Sequence, residues 1–155
     1  MMSDELRKDA LIAHGVTPEV LGAWDDPRHP LRSFSWTKPD FELAESLSKL
    51  VPGLAEVCPL FEENGEAAIG VLPSGRFVRY HYEDVEQGDE AIDVLGDNYQ
   101  QFAAFVLLIA EEAGGSADFP MLVVLLHFMH GPELRRLLDA DPYDEEALQA
   151  FFSRL

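Results

Sequence analysis

Two turn signals in the middle of the chain decide what it can become. Asn64-Gly65 and Pro73-Ser74-Gly75 are residue types that supply positive φ or preset a turn, and they cut residues 54–82 into three short runs, 54–61, 66–72 and 75–82. Runs this short, closed by turns this tight, predict an antiparallel meander, because parallel neighbours need a crossover of a dozen residues or more. In the third run Phe77, Arg79 and His81 alternate with Val78, Tyr80 and Tyr82. That period of two puts a mixed polar face opposite an aliphatic and aromatic one, so the sheet is expected to be half buried. A fourth strand is expected at 91–95, after the acidic connection 83–90.

Helical periodicity brackets the meander. Residues 3–13 read as a helix broken at His14-Gly15, and Thr17-Pro18-Glu19 opens a second with a capping hydroxyl, a proline in the first turn and an acid beside it. Residues 25–39 hold three prolines and no periodicity, which predicts a loop with a short extended piece at 32–36. Phe41, Ala44, Leu47 and Leu50 recur at helical spacing, predicting a helix over 40–51 that Pro52-Gly53 stops. Asp97 is placed to cap a helix whose Tyr99, Phe102, Ala103, Val106, Leu107 and Ala110 form one stripe, ended by Gly114-Gly115. Three proline-led helices follow, at 120–129, 132–139 and 142–154, with Asp141 expected to cap the last. The fold class is therefore α+β: a mainly antiparallel sheet of about four strands in the middle of the chain, flanked by N-terminal and C-terminal helices. It is expected to be a single domain over 1–155, in three parts at 1–53, 54–113 and 114–155.

Eleven Lys and Arg against 29 Asp and Glu give a formal charge of −18, while 47% of the residues are apolar. The apolar content excludes full disorder, and a chain of this length can bury roughly 70% of its unfolded surface without a staple. The charge argues against direct nucleic-acid binding, which depends on Lys and Arg neutralising phosphates. One cysteine, Cys58, permits neither an internal disulfide nor a cysteine-built zinc site. The start, Met1-Met2-Ser3-Asp4-Glu5-Leu6-Arg7-Lys8-Asp9, carries charge where a signal peptide needs an apolar stretch, so a cytoplasmic location is expected. The longest apolar runs, 102–110 and 119–129, are shorter than the roughly 18 to 20 residues of a membrane span and read as core helices.

No catalytic signature is present. His127 and His130 lie three apart, as a metal pair on one helix face would, but no Glu stands in the zinc-protease arrangement. His127 sits in an apolar run and reads as a core histidine, His130 as a C-terminal cap. Cys58, between Val57 and Pro59, reads as a core residue, since nothing local would depress its pKa. G-x-S-x-G, G-x-G-x-x-G and P-loop patterns are absent. Paired acids such as Asp25-Asp26, Glu62-Glu63 and Glu111-Glu112 arise by chance among 29 carboxylates. No catalytic residue, cofactor or metal is expected; an enzyme alternative, a small hydrolase or metal-dependent enzyme, would need His81, His127 or His130 to meet carboxylates in the fold.

Charge distribution says more. The 55 positions between Arg79 and Arg135 contain no Lys or Arg and eleven acids, Glu83, Asp84, Glu86, Asp89, Glu90, Asp93, Asp97, Glu111, Glu112, Asp118 and Glu133. Such a block is either a solvated face that keeps the protein soluble or a docking surface for a basic partner, with Tyr80, Tyr82 and Tyr99 nearby as aromatic anchors.

Over residues 58–108 the order of parts resembles the SUKH superfamily of bacterial immunity proteins. Its proline-led strand and polar turn look like Pro59-Leu60-Phe61-Glu62-Glu63-Asn64-Gly65. Its next two strands look like Ala67-Ala68-Ile69-Gly70-Val71-Leu72 and Ser74-Gly75-Arg76-Phe77-Val78-Arg79-Tyr80, and its aromatic helix like Asn98-Tyr99-Gln100-Gln101-Phe102-Ala103-Ala104-Phe105. The family's amino-terminal Leu-Pro step and Asn-Gly-Gly-like loop have no counterpart here, and the helices after Gly115 run past its common core, as in a divergent or extended member. The resemblance implies a non-catalytic protein-binding module that neutralises a cognate toxin in the cytoplasm, often a basic nuclease. Its contacts would be Tyr80, Tyr82, Glu83, Asp84, Glu86 and Asp89. A regulatory adaptor with no toxin partner is the blander possibility.

Overall fold

The computed structural model describes residues 2–114 and 118–155, and for Asp89 the backbone only. Its centre is a five-stranded antiparallel sheet whose spatial order follows the chain: β1 (Trp36–Thr37), β2 (Cys58–Glu63), β3 (Ala67–Val71), β4 (Phe77–His81) and β5 (Ile92–Gly96). Helices α1 (Asp4–Ala13), α2 (Pro18–Leu21) and α3 (Phe41–Leu50) precede the meander. Helices α4 (Tyr99–Glu112), α5 (Phe119–Leu126), α6 (Gly131–Ala140) and α7 (Glu145–Ser153) follow it. This is the expected α+β arrangement with one further short strand, β1; of the extended piece expected at 32–36, residues up to Phe34 belong to a 3₁₀ turn (Pro30–Phe34) and only Trp36 is in a strand. Among the described residues no helix is long and apolar enough to cross a membrane.

Both turn signals close hairpins. Asn64 (φ 53°) and Gly65 (φ 70°) take left-handed conformations while the Glu66 N–H donates to the Glu63 carbonyl at 3.0 Å, the geometry of a type I′ turn. Gly75 (φ 90°) turns β3 into β4. The first run starts later than its apolar pattern suggests, because Pro52–Glu56 forms a 3₁₀ turn and β2 begins at Cys58. Within β2, Leu60 is a bulge: Pro59 pairs with Gly70 and Phe61 with Ile69, leaving Leu60 the extra residue. Its carbonyl accepts the Trp24 indole N–H at 2.8 Å, pinning the N-terminal segment to the sheet.

The sheet is not half buried, as the alternation in 75–82 suggests; β3 is buried along its whole length. The Phe77 face packs on α4, with the Phe77 and Phe102 rings stacked at 4.7 Å and Trp36 stacked on Phe61 at 5.2 Å. The Tyr80 face is covered by a second, smaller cluster of Leu54, Val57, Ala68, Val78, Tyr80 and Val85, with Tyr82 and Ile92 packed against it. The main cluster joins Leu11, Leu31, Phe102 and Phe151, so all three parts of the chain enter one core.

Every stripe residue of α4 is buried, but its cap is Asn98 rather than Asp97: the Asn98 side chain accepts from the Gln101 N–H at 2.9 Å, while Gln101 reaches back to the Asp97 N–H at 2.7 Å. The last helix likewise starts at Glu145, capped by Asp144; Asp141 instead accepts from the Tyr143 N–H within the preceding turn. The run 119–129 is a core helix on one side only. α5 buries Phe119, Leu122 and Leu126 against the molecule and leaves Met121 and Val124 at the surface; it ends at Leu126, short of the expected 129, and Met129 beyond it is exposed. His127 ends α5 in a left-handed turn (φ 53°) and is exposed, not a core histidine, and His130 precedes α6 rather than capping a C-terminus.

Candidate partner-binding surface

The connection from β4 to β5 decides what the acidic segment can present. Residues Tyr82–Ala91 form two 3₁₀ turns that meet at Gly88, whose φ of 65° and ψ of −133° only glycine takes readily. Val85 and Ala91 point inward and are buried. With those two positions held, Glu83, Glu86 and Glu90 face solvent and Asp84 is half-buried. None of these four acids, nor the exposed Asp93 that follows on β5, makes an ion pair among the described residues. The other acids of the cation-free block that do pair have distant partners: Asp97 meets Arg76 at 3.1 Å, Glu111 meets Arg135 at 2.9 Å and Glu133 meets Arg154 at 2.8 Å. The side chain of Asp89 lies outside the described residues.

The three tyrosines make contacts within the fold. Tyr80 is 2% exposed, a wall of the second cluster, and burial pushes its phenol up to about 12. Its ring sits there because the strand's alternation aims Val78, Tyr80 and Tyr82 to one face, which the 3₁₀ turns cover. Tyr82 is half-buried and its hydroxyl donates to Glu62 Oε1 at 2.9 Å. Burial, and next that bond to a carboxylate, hold the phenol far above the ordinary tyrosine range. Tyr99 is buried and its hydroxyl donates to the Leu126 carbonyl at 2.6 Å. All three tyrosines are thus used in holding the fold; the acids are what reaches solvent.

The histidines are dispersed. His81 ends β4, opposite Ala67; His127 lies 3.5 Å from Glu19; His130 lies 3.8 Å from Glu133 and packs edge-on against Phe128 and Phe151. The cavity that His127 lines holds His14, Thr17 and Tyr99, and neither His81 nor His130. Among the described residues no three of His, Cys, Asp and Glu come together as ligands of a metal ion. Cys58 is partly buried, and burial pushes its thiol up, away from the thiolate a nucleophile needs.

Charge patterning pointed to the acidic connection, but nothing in it marked β5 as an edge. The strand order leaves β5 with β4 on one side and no strand on the other. The hydrophobic signal available was Val94, an aliphatic residue 53% exposed on an outermost strand, where a buried neighbour would be expected from its place in 91–95. No family model, curated protein or solved structure matches the chain.

Proposed function

We propose that this chain is a non-catalytic protein-binding module that engages a basic protein through the acidic surface formed by Glu83, Asp84, Glu86, Glu90 and Asp93. The observation behind the proposal is that the buried Val85 and Ala91 leave Glu83, Glu86 and Glu90 in solvent and Asp84 half-buried, that Asp93 is exposed on the strand that follows, and that none of the five has an ion-pair partner among the described residues. Unneutralised acids on one surface raise the local concentration of a cationic partner and orient it on approach. In its specific form the proposal is an immunity protein that neutralises a cognate basic toxin, such as a nuclease, in the cytoplasm; the resemblance of residues 58–108 to the SUKH superfamily supports that form. Tyr82 belongs to this surface as a support, bracing Glu62 beneath it, and Tyr80 as part of the cluster on which it rests.

Co-expression with the product of the adjacent reading frame is the direct test. The expected result is that the chain relieves growth arrest caused by that product and that a Glu83→Gln, Glu86→Gln variant relieves it less, while keeping its fold. Relief that ignores these substitutions would remove the acidic surface from the account. A purified chain that turns over a small substrate would replace the binding module by an enzyme.

A further inference from the structure

β5 offers more than charge. A strand in an antiparallel ladder directs alternate backbone N–H and C=O groups to either side, so half of those of Ile92–Gly96 point away from β4. Among the described residues no turn, loop or side-chain hydrogen bond engages the backbone of this strand. The elements packed most closely against it are β4, α4, which meets it through Leu95 in the main cluster, and the preceding acidic turns. Over the face that carries Val78, Ile92 and Val94, and reaching Val94 on the edge strand, lies a groove of about 430 Å³ lined also by Gly53, Glu56, Leu72 and Arg76.

The two faces of the strand differ. Ile92 and Val94 share the face of the second cluster, where Val94 pairs with Val78, and Val94 is 53% exposed. Asp93 points to the other face and is exposed, opposite Arg79, whose guanidinium lies 3.7 Å from Glu63; Arg76, which lines the groove, is tied to Asp97. A bulge at Leu95, which has no partner between the Val78–Val94 and Phe77–Gly96 pairs, ends the regular part of the edge. Charge and a bulge are ways of closing an edge to wrong pairing, but an exposed valine beside an apolar groove opposes that purpose.

We propose that the β5 edge accepts an extended segment of the basic partner as a sixth strand, placing an aliphatic side chain beside Val94 in the groove and a Lys or Arg beside Asp93. Backbone bonds supply affinity and the alternation of the two side chains supplies specificity. The proposal rests on the reading of the partner as basic, and names the piece of it that binds. The occupant is fixed by charge complementarity: an acidic segment would meet Asp93, Glu90 and Glu86, and a second copy of this edge would place Asp93 against its own equivalent in a protein of charge −18.

The test uses the full chain and a blocked peptide alternating valine and lysine, with two counterparts N-methylated on either alternate set of amides. Binding of the plain peptide should slow hydrogen exchange at amides within Ile92–Gly96, and one of the two methylated peptides should bind about tenfold more weakly, the equivalent of one or two lost backbone hydrogen bonds. Val94→Lys should weaken the plain peptide to a similar degree without lowering the unfolding midpoint. No binding, equal binding of all three peptides, or protection that falls elsewhere overturns the proposal. If a basic protein partner still associates normally with Val94→Lys, the edge is wrong and the acidic surface stands; if it also ignores Glu83→Gln, Glu86→Gln, both fall.

Discussion

Gly70 is where the architecture leaves least room. It sits in β3, which is buried on both faces, beside the bulge in β2. A Cβ at Gly70 would lie 2.4 Å from Val57 Cγ1 and 2.7 Å from the Cys58 carbonyl oxygen. Real side-chain carbons do not approach so closely, and one of the two obstacles is backbone that a rotamer change cannot move. Overpacking of this kind costs about 1 to 3 kcal/mol, and the carbonyl clash puts Gly70→Ala near the top of that range. For a domain of this length about 3 kcal/mol corresponds to a fall of roughly 6 to 12 °C in melting temperature. Urea unfolding of Gly70→Ala, Val57→Ala and the double variant separates the two clashes. Removing the valine methyls leaves the carbonyl contact, so the double variant should remain less stable than Val57→Ala alone. A Gly70→Ala protein within about 0.5 kcal/mol of the parent would refute the close packing of β3 against the Val57 turn.

Three further outcomes follow from the packing and charges. Phe102, fully buried and stacked on Phe77, should cost about 3 to 5 kcal/mol when changed to Ala in a denaturant titration, and a near-neutral result would place α4 in the wrong register. Arg135 donates to both oxygens of Glu111 at 2.9 Å and holds that carboxyl below the ordinary carboxylate range. A lowered folded pKa contributes stability that is complete above the unfolded value, about 4.3, and is lost as pH falls through the folded one. Arg135→Met should therefore be less stable at neutral pH and show a shallower acid limb; an unchanged limb would contradict the pair's role. Tyr82→Phe removes the phenol bond to Glu62 and should cost about 0.5 to 1.5 kcal/mol while leaving association with a basic partner unchanged, whereas weaker association would put the hydroxyl in the contact surface.

Local signals carried much of the fold. Turn residues have few alternatives, so Asn64-Gly65 and Pro73-Ser74-Gly75 located the hairpins, and the α4 stripe named its buried residues because a helix face is read within one segment. What failed were features set by distant parts of the chain. The second covered face of the sheet depends on the turns at Pro52–Glu56 and Tyr82–Ala91 folding back over Val78 and Tyr80, which no alternation within β4 reveals. Neighbouring polar residues compete for the same cap, so Asn98 displaced Asp97 and Asp144 displaced Asp141. The apolar run before His127 suggests burial all round, while α5 turns one apolar side outward. At the candidate surface the acids were visible as a run without cations, but the tyrosines beside them could be assigned to core or surface only once the strand's two faces were distinguished.

Glu83, Asp84, Glu86, Glu90 and Asp93 are proposed to steer a basic protein onto the chain. Stopped-flow association of the chain with the basic product of the adjacent reading frame, measured as salt rises through the range where the Debye length shrinks from about 30 Å to about 8 Å, tests this steering most directly. The expected association rate starts well above the roughly 10⁵–10⁶ M⁻¹s⁻¹ typical of unsteered proteins and falls steeply with salt, with a much flatter dependence in Glu83→Gln, Glu86→Gln, Asp93→Asn. An association rate indifferent to salt, or a salt dependence unchanged in the neutralised variant, would contradict it and leave the acids as a solvated face.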